Sequence, residues 1–218
     1  MTTILGVDAG NSNIKVSGER GEVILPSALG EYRERKLEQK FSDDDIIYEF
    51  NNKKGFAGTL ALHESQLLAS RMGDSKAHEE LIIRVLLGIN KYCSENRDFK
   101  IVVGQPIAKH VQKEKEKIKS LLSGEHDITI NNKKRIINIR NVEVASEAGA
   151  AFWSNPRQGK VRVIDIGSGT VNAATLIDGR YIDKESFTIK DGLETVLTDD
   201  DEAFARKIAL QKLYYESP

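Results

Sequence analysis

The sequence predicts an α/β protein made of two similar blocks, residues 1–157 and residues 158–218. Each block opens with short strands of apolar and β-branched residues, and each then passes into segments with helical periodicity. A strand that ends on an aspartate and leads into a glycine-containing turn occurs at the head of both blocks. These three observations indicate a duplicated α/β architecture.

In the first block, strands are predicted in TILGVD, IKVSG and EVILPSAL, and a hairpin is predicted in IIYEFNNKKGFAG. Asn51 and Asn52 occupy the tip of that hairpin, because asparagine tolerates the left-handed backbone conformation of tight turns. Helical periodicity follows over residues 60–71 and 76–92. The second of these helices is apolar over a wide arc, which is typical of a helix packed on a sheet.

The first block continues with a strand in FKIVVGQP and a helix over residues 108–124. Two or three strands follow in DITINNKKRIINIRNVEVAS, with Asn131 and Asn132 at a hairpin tip. EAGAAFW begins a short helix that ends at SNPRQG, where we place the boundary. The second block is predicted to contain the strands KVRVIDIG, VNAATLID and YIDKESFTI, and then helical sequence as far as residue 218.

Composition limits the kinds of partner. The chain has 32 Lys and Arg residues against 33 Asp and Glu residues, so its net charge gives no indication of direct nucleic-acid binding or of a membrane surface as a partner. Cys93 is the single cysteine, which suits a reducing compartment. The amino terminus lacks the basic start of a signal peptide, and no apolar run reaches the roughly 18–20 residues of a membrane span. We therefore expect a cytoplasmic protein.

The first aspartate–glycine turn, in VDAGNSNIKV, is open to two interpretations. Glycine and asparagine are common in ordinary hairpin turns, and the motif is explained by that alone. Alternatively, backbone N–H groups of the turn bind a phosphate, and Asp8 at the strand end holds a cation. The turn by itself does not decide between these alternatives.

The second turn, in VIDIGSGTVNAATL, favours phosphate binding, because it repeats the aspartate two residues before a glycine. Small residues let two turns approach one pyrophosphate, and hydroxyl groups and a lysine add donors. Asp8 and Asp165 are then expected to grip Mg²⁺ across a cleft. The candidate phosphate-binding residues are Gly10, Asn11, Ser12, Asn13, Lys15, Gly167, Ser168, Gly169 and Thr170.

Glu147 lies where a predicted strand gives way to a helix, in VEVASEAGAAFW. Its residue type has a structural explanation, because Ser146 is a good helix N-cap and an acidic residue in the first turn suits the helix dipole. On the residues alone, the structural explanation is the simpler one.

Several stretches resemble one ATPase superfamily. GVDAGNSNIKV and VIDIGSGTVNAATLIDGRYI resemble the phosphate 1 and phosphate 2 motifs of the actin, sugar-kinase and heat-shock-chaperone ATPases. FAGTLALHES, IVVGQPIAKH and VEVASEAGAAFW resemble the middle segments of bacterial and archaeal actin-like proteins, which include the ParM/StbA-type plasmid-segregation ATPases. The resemblance covers most of the chain and implies a duplicated, ribonuclease H-like fold.

The resemblance implies a function as well. Actin-like proteins of this type bind ATP with Mg²⁺, form filaments by self-association, and serve plasmid or DNA segregation together with a DNA-bound adaptor protein. In these ATPases the residue at the place of Glu147 orients the attacking water, which makes Glu147 the catalytic candidate. GTP remains possible, because no glycine-rich turn for the base and ribose follows the second hairpin. The first domain is therefore expected to be complete and the second partial, and this leaves open whether this chain hydrolyses ATP.

Two other functions remain open. The first turn also resembles that of small-molecule kinases of the same superfamily, of the pantothenate type, but no acceptor pocket is recognisable in the sequence. A non-catalytic scaffold or a fragment that keeps the hairpins without holding ATP is the third possibility. Dependence of ATP turnover on an added alcohol distinguishes the kinase, and a lack of ATP binding distinguishes the scaffold.

Overall fold

A computed structural model of the chain describes residues 2–36, 42–65, 76–190 and 192. The chain forms two compact units: unit 1 comprises residues 1–105 and 111–145, and unit 2 comprises residues 106–110 and 146–218. The boundary between blocks at residues 157 and 158 stays a prediction. The predicted helical tail falls on residues 193–218, outside the described residues.

Unit 1 contains a mixed sheet of nine strands among its described residues, in the order β3-β2-β1-β7-β9-β8-β5-β6-β4. The strands are β1 Thr3–Ala9, β2 Asn13–Gly18, β3 Gly21–Pro26, β4 Leu29–Glu31, β5 Asp45–Phe50, β6 Lys53–Gly58, β7 Asp98–Gln105, β8 Gly124–Ile130 and β9 Lys133–Ser146. The region predicted as a third strand is divided into β3 and β4. A two-residue interruption there turns the chain toward the far end of the sheet, where β4 pairs with β6.

The described residues of unit 1 form three α-helices: α1 Thr59–Glu64, α2 Glu79–Tyr92 and α3 Gln112–Leu122. The helix predicted over residues 60–71 is described as far as Glu64, and the helix predicted from residue 76 begins at Glu79. The helix predicted over residues 108–124 is interrupted at Val111, whose backbone is extended. Nine consecutive residues of α2, Leu81 to Ile89, are buried, as its wide apolar arc predicts.

Strands β1 and β7 are parallel neighbours in the sheet of unit 1. Val7 pairs with Val103 in this parallel register, so the carboxyl ends of the two strands lie at the same edge. In open α/β sheets this is the edge at which ligands bind. The first aspartate–glycine turn begins there.

Both predicted asparagine hairpin tips in unit 1 are confirmed. Asn51, Asn52, Asn131 and Asn132 all have positive φ, between 48° and 63°, and asparagine adopts this region more readily than most residues. Asn131 has a second role: its Oδ1 accepts a bond from the Ile47 N–H at 2.8 Å, and its Nδ2 donates to the Asp45 carbonyl at 3.1 Å. The tip of the β8–β9 hairpin is thereby tied to β5.

We expect Asn131→Gly to lower the free energy of unfolding by about 1–2 kcal/mol, because glycine keeps the left-handed backbone but removes both side-chain bonds. Asn132→Gly is the matched control, since Asn132 occupies the same hairpin tip with φ of 63° and makes neither contact. Urea denaturation followed by circular dichroism measures both variants. Equal losses in the two variants would contradict the assigned role of Asn131.

Unit 2 contains α4 Glu147–Ser154 and the strands β10 Lys160–Ile166, β11 Val171–Ile177, β12 Arg180–Tyr181 and β13 Phe187–Ile189. The last strand predicted, residues 181–189, is interrupted by a short 3₁₀ helix, Asp183–Glu185, where the Ser186 hydroxyl donates to the Ile182 carbonyl. The core of the unit joins one face of the β10–β11 hairpin to α4, through the buried residues Ala148, Phe152, Ala174 and Leu176. Within the described ranges, no helix has the length and apolar character needed to cross a membrane.

Candidate functional site

The first aspartate–glycine turn, residues 10–13, connects β1 to β2 in unit 1. The Gly10 N–H donates to the Asn13 carbonyl at 3.0 Å and closes the turn. A Cβ atom on Gly10 would lie 2.9 Å from that carbonyl oxygen, closer than real Cβ contacts. Glycine is therefore required here by the close approach of the two backbone segments.

The second turn, residues 167–170, connects β10 to β11 in unit 2 and is closed by the same bond. The Gly167 N–H donates to the Thr170 carbonyl at 2.9 Å, and a Cβ on Gly167 would lie 3.1 Å from that oxygen. Ser168 and Gly169 occupy its two central positions. The two turns thus share an equivalent closing hydrogen bond as well as one sequence pattern.

Two lysines surround the carboxylate of Asp8. Lys15 is its partner across the β1–β2 ladder, with Lys15 Nζ 3.8 Å from Asp8 Oδ2. Lys76, three residues before the start of α2, places its Nζ 3.3 Å from Asp8 Oδ1. The Lys76 side chain is 9% exposed, whereas the Asp8 side chain is 46% exposed and accessible to a ligand. The predicted neighbours Asp8 and Lys15 therefore lie together, and Lys76 adds a second ammonium group to the site.

Lys76 was not identified by the sequence analysis, because it is 68 residues from Asp8 in the chain. Ser27 was missed as well. Its hydroxyl donates to the Gly10 carbonyl at 2.6 Å, and its N–H donates to the Ser12 carbonyl at 3.0 Å. A serine directly after a strand carries no specific signal, and only the pairing of β2 with β3 brings it under the turn.

Glu147 is the first residue of α4, and its Oε2 accepts a hydrogen bond from Asn172 Nδ2 at 2.8 Å. Ser146 occupies the N-cap position and Glu147 lies in the first turn, as the structural explanation expects, but the Ser146 side chain makes no capping hydrogen bond. The serine side chain therefore does not hold this end of the helix. The position of the Glu147 carboxylate depends instead on a contact with β11.

Asn172 is 1% exposed and uses both ends of its amide. While Nδ2 donates to Glu147, Oδ1 accepts from the Ile107 N–H at 3.2 Å and from Thr188 Oγ1 at 2.8 Å. These bonds fix the amide in one orientation. An asparagine within a mostly apolar strand was the available signal, since buried polar groups almost always have a specific partner.

Asp165 lies directly across the β10–β11 ladder from Asn172. Because side chains alternate along a strand, Asp165 shares a face with Val161 and Val163, which pack against the core that contains α4. Unit 2 therefore places Asp165, Asn172 and the Glu147 contact on one face of one hairpin.

The side chains of the described residues determine which kind of divalent cation site the chain offers. No group of three or more His, Cys, Asp or Glu residues that could hold a metal occurs in the part of the chain that the structure describes. Mg²⁺, however, is commonly bound by one or two carboxylates together with water and substrate phosphates. The half-exposed Asp8 carboxylate, a hard oxygen donor, suits an ion bound in this way. The described residues do not provide enough ligands for an ion that is bound by protein groups alone.

Comparison with known proteins relates this chain to one family. The family model described as "Actin like proteins N terminal domain" matches residues 6–149, well over half of the chain. No curated protein sequence matches the chain significantly.

Solved structures share the fold. The AlfA filament from Bacillus subtilis plasmid pLS32 superposes with a TM-score of 0.75 at 22% identity, over 96% of this chain and 79% of that one. An AlfA filament bound to AMPPNP gives 0.72 at 21% identity, over 97% and 77%. Ta0583, an archaeal actin homolog in complex with ADP, gives 0.71 at 22% identity, over 95% and 66%. At these identities the comparisons establish a common fold.

Proposed function

This chain belongs to the family of actin-like proteins, and from that premise we propose that it binds ATP and assembles into filaments by self-association. The observation that supports this most directly is the pair of turns closed by equivalent bonds, Gly10 N–H to Asn13 and Gly167 N–H to Thr170. Each turn follows a strand that ends near an aspartate. Turns of this kind direct backbone N–H groups toward an anion.

In this proposal both turns bind nucleotide phosphates, using the residues named from the sequence. Lys15 and Lys76 neutralise phosphate charge beside the first turn, where their ammonium groups already lie within 4 Å of Asp8. Asp8 and Asp165 hold Mg²⁺, which supplies positive charge to the phosphoryl oxygens. GTP in place of ATP is the remaining nucleotide alternative.

Hydrolysis is assigned to Glu147. Its carboxylate orients a water molecule and accepts one proton from it as the water oxygen attacks the γ-phosphorus. The bond from that phosphorus to the β–γ bridging oxygen breaks, and ADP and inorganic phosphate are the products. Asn172 keeps the carboxylate in place through its 2.8 Å bond to Oε2.

For the cellular role we propose plasmid or DNA segregation in the cytoplasm, with a DNA-bound adaptor protein as partner. Two of the similar solved structures are AlfA filaments, one of them from a plasmid and one bound to AMPPNP. A filament of identical subunits requires a heterologous, head-to-tail contact. This part of the proposal rests on family membership.

Titration calorimetry and sedimentation test the proposal. We expect heat of binding with ATP and Mg²⁺, and we expect the protein to pellet with ATP or AMPPNP but to stay in the supernatant without nucleotide. Absence of ATP binding would refute the proposal and favour a non-catalytic scaffold. ATP turnover that strictly requires an added alcohol, such as pantothenate, would favour a small-molecule kinase.

A further inference from the structure

Arg84 is a buried arginine in the middle of α2. It is 3% exposed and lies between the buried residues Ile83 and Val85. Burial lowers the pKa of its guanidinium, an effect that Glu80 partly offsets. Among the described residues, its buried Nη1 atom has no hydrogen-bond partner. Such a group costs stability, so its presence calls for a role other than packing.

The Arg84 side chain makes a hydrogen bond with the segment under the first turn. Its Nε–H donates to the Ser27 carbonyl at 3.0 Å. Ser27 is fully buried and directly follows β3. The hydrogen bond from the Arg84 guanidinium therefore connects α2 to the backbone of Ser27.

Ser27 in turn fixes two peptide groups of the turn. Its hydroxyl binds the Gly10 carbonyl and its N–H binds the Ser12 carbonyl, at 2.6 and 3.0 Å. In a trans peptide the N–H points away from the carbonyl of the same peptide unit. The N–H groups of Asn11 and Asn13 are consequently directed away from Ser27.

We propose that Arg84 and Ser27 are positioning residues that hold the first turn in its phosphate-binding conformation before nucleotide arrives. This inference rests on the proposed function, since it assigns the turn to phosphate. Preorganised N–H groups need no reorientation when the anion binds, and this raises affinity. Arg84 itself touches no nucleotide in this scheme and acts through Ser27.

The first arm of the test needs no nucleotide. Amide NMR signals and hydrogen exchange of residues 10–13 are compared in the unmodified protein, Ser27→Ala and Arg84→Met. Both variants are expected to shift or broaden these signals and to speed exchange at Gly10. Arg135→Met is the matched control: Arg135 also donates bonds within unit 1, to the Asn90 side chain and to the Cys93 and Asn96 carbonyls, but makes no contact with the turn. Unchanged signals in both variants, or equal changes in the control, would overturn the inference.

The second arm measures ATP affinity and stability together. Ser27→Ala and Arg84→Met are each expected to raise the Kd for ATP about five- to tenfold, the effect of one lost buried hydrogen bond. Arg84→Met is expected to keep or increase the urea midpoint, because an apolar side chain replaces a buried charge whose Nη1 atom makes no hydrogen bond among the described residues. Arg135→Met should lower the midpoint and leave the Kd unchanged. A Kd that is unchanged in both variants overturns the inference. If the unmodified protein binds no ATP, the proposed function fails, and the first arm alone decides whether the two residues order the turn.

Discussion

Glu147→Ala is expected to slow ATP hydrolysis by about 10²- to 10⁴-fold, while the Kd for ATP stays within about threefold of the unmodified value. The carboxylate acts on the water molecule in the transition state, so its loss affects the chemical step more than binding. Phosphate release under single-turnover conditions measures the rate, and calorimetry measures the Kd. Loss of ATP binding in this variant would show that Glu147 is a structural residue.

Two further variants distinguish the possible roles of the Glu147 carboxylate and control for nonspecific effects. Glu147→Gln keeps an oxygen that can accept the bond from Asn172 but removes the ability to take a proton, so it separates orientation of the water from proton transfer. Glu143→Ala is the control: Glu143 lies on β9 close to Glu147 in the chain, is exposed, and pairs with Lys119 at 2.7 Å. We expect no change in its hydrolysis rate. Equal slowing in Glu143→Ala and Glu147→Ala would contradict a catalytic role.

Asp8→Ala is expected to weaken binding of ATP in the presence of Mg²⁺ by about 100-fold, because the carboxylate that holds the ion is lost. In the presence of EDTA, which removes Mg²⁺, the same substitution should instead strengthen ATP binding. Without Asp8, the ammonium groups of Lys15 and Lys76 lose a competing carboxylate and are free to interact with the phosphates. Calorimetry with ATP, with and without Mg²⁺, measures both effects.

Asp127→Ala serves as the control for this experiment, since Asp127 is an exposed carboxylate in unit 1 that pairs with Lys134. Its removal should leave ATP affinity unchanged under both conditions. If Asp8→Ala weakens ATP binding equally with Mg²⁺ and with EDTA, Asp8 supports the turn and holds no cation. A cation-binding role and a structural role of Asp8 are therefore distinguished by whether the change in ATP affinity depends on Mg²⁺, and not only by the size of that change.

The fold class and most of its elements were predictable from the sequence, and the family match confirms the resemblance to actin-like proteins. The hairpin tips at residues 51–52 and 131–132 have the left-handed backbone that asparagine suggests. The predicted elements were wrong where the sequence pattern of a helix or strand continues but the element itself is interrupted, as at Val111 and within residues 181–189. In both places a local change of backbone direction interrupts the element without changing the polarity pattern on which the prediction rested.

The two turns are local features that the sequence predicts, because strand periodicity, glycine and asparagine act on the backbone within a few residues. The side chains that surround the turns depend on packing between distant parts of the chain. Lys76 reaches Asp8 across 68 positions, Arg84 reaches Ser27 across 57, and Asn172 reaches Glu147 across 25. Sequence can indicate that a buried polar side chain needs a partner, but the partner's identity follows from how helices and strands pack, which depends on contacts between residues far apart in the chain.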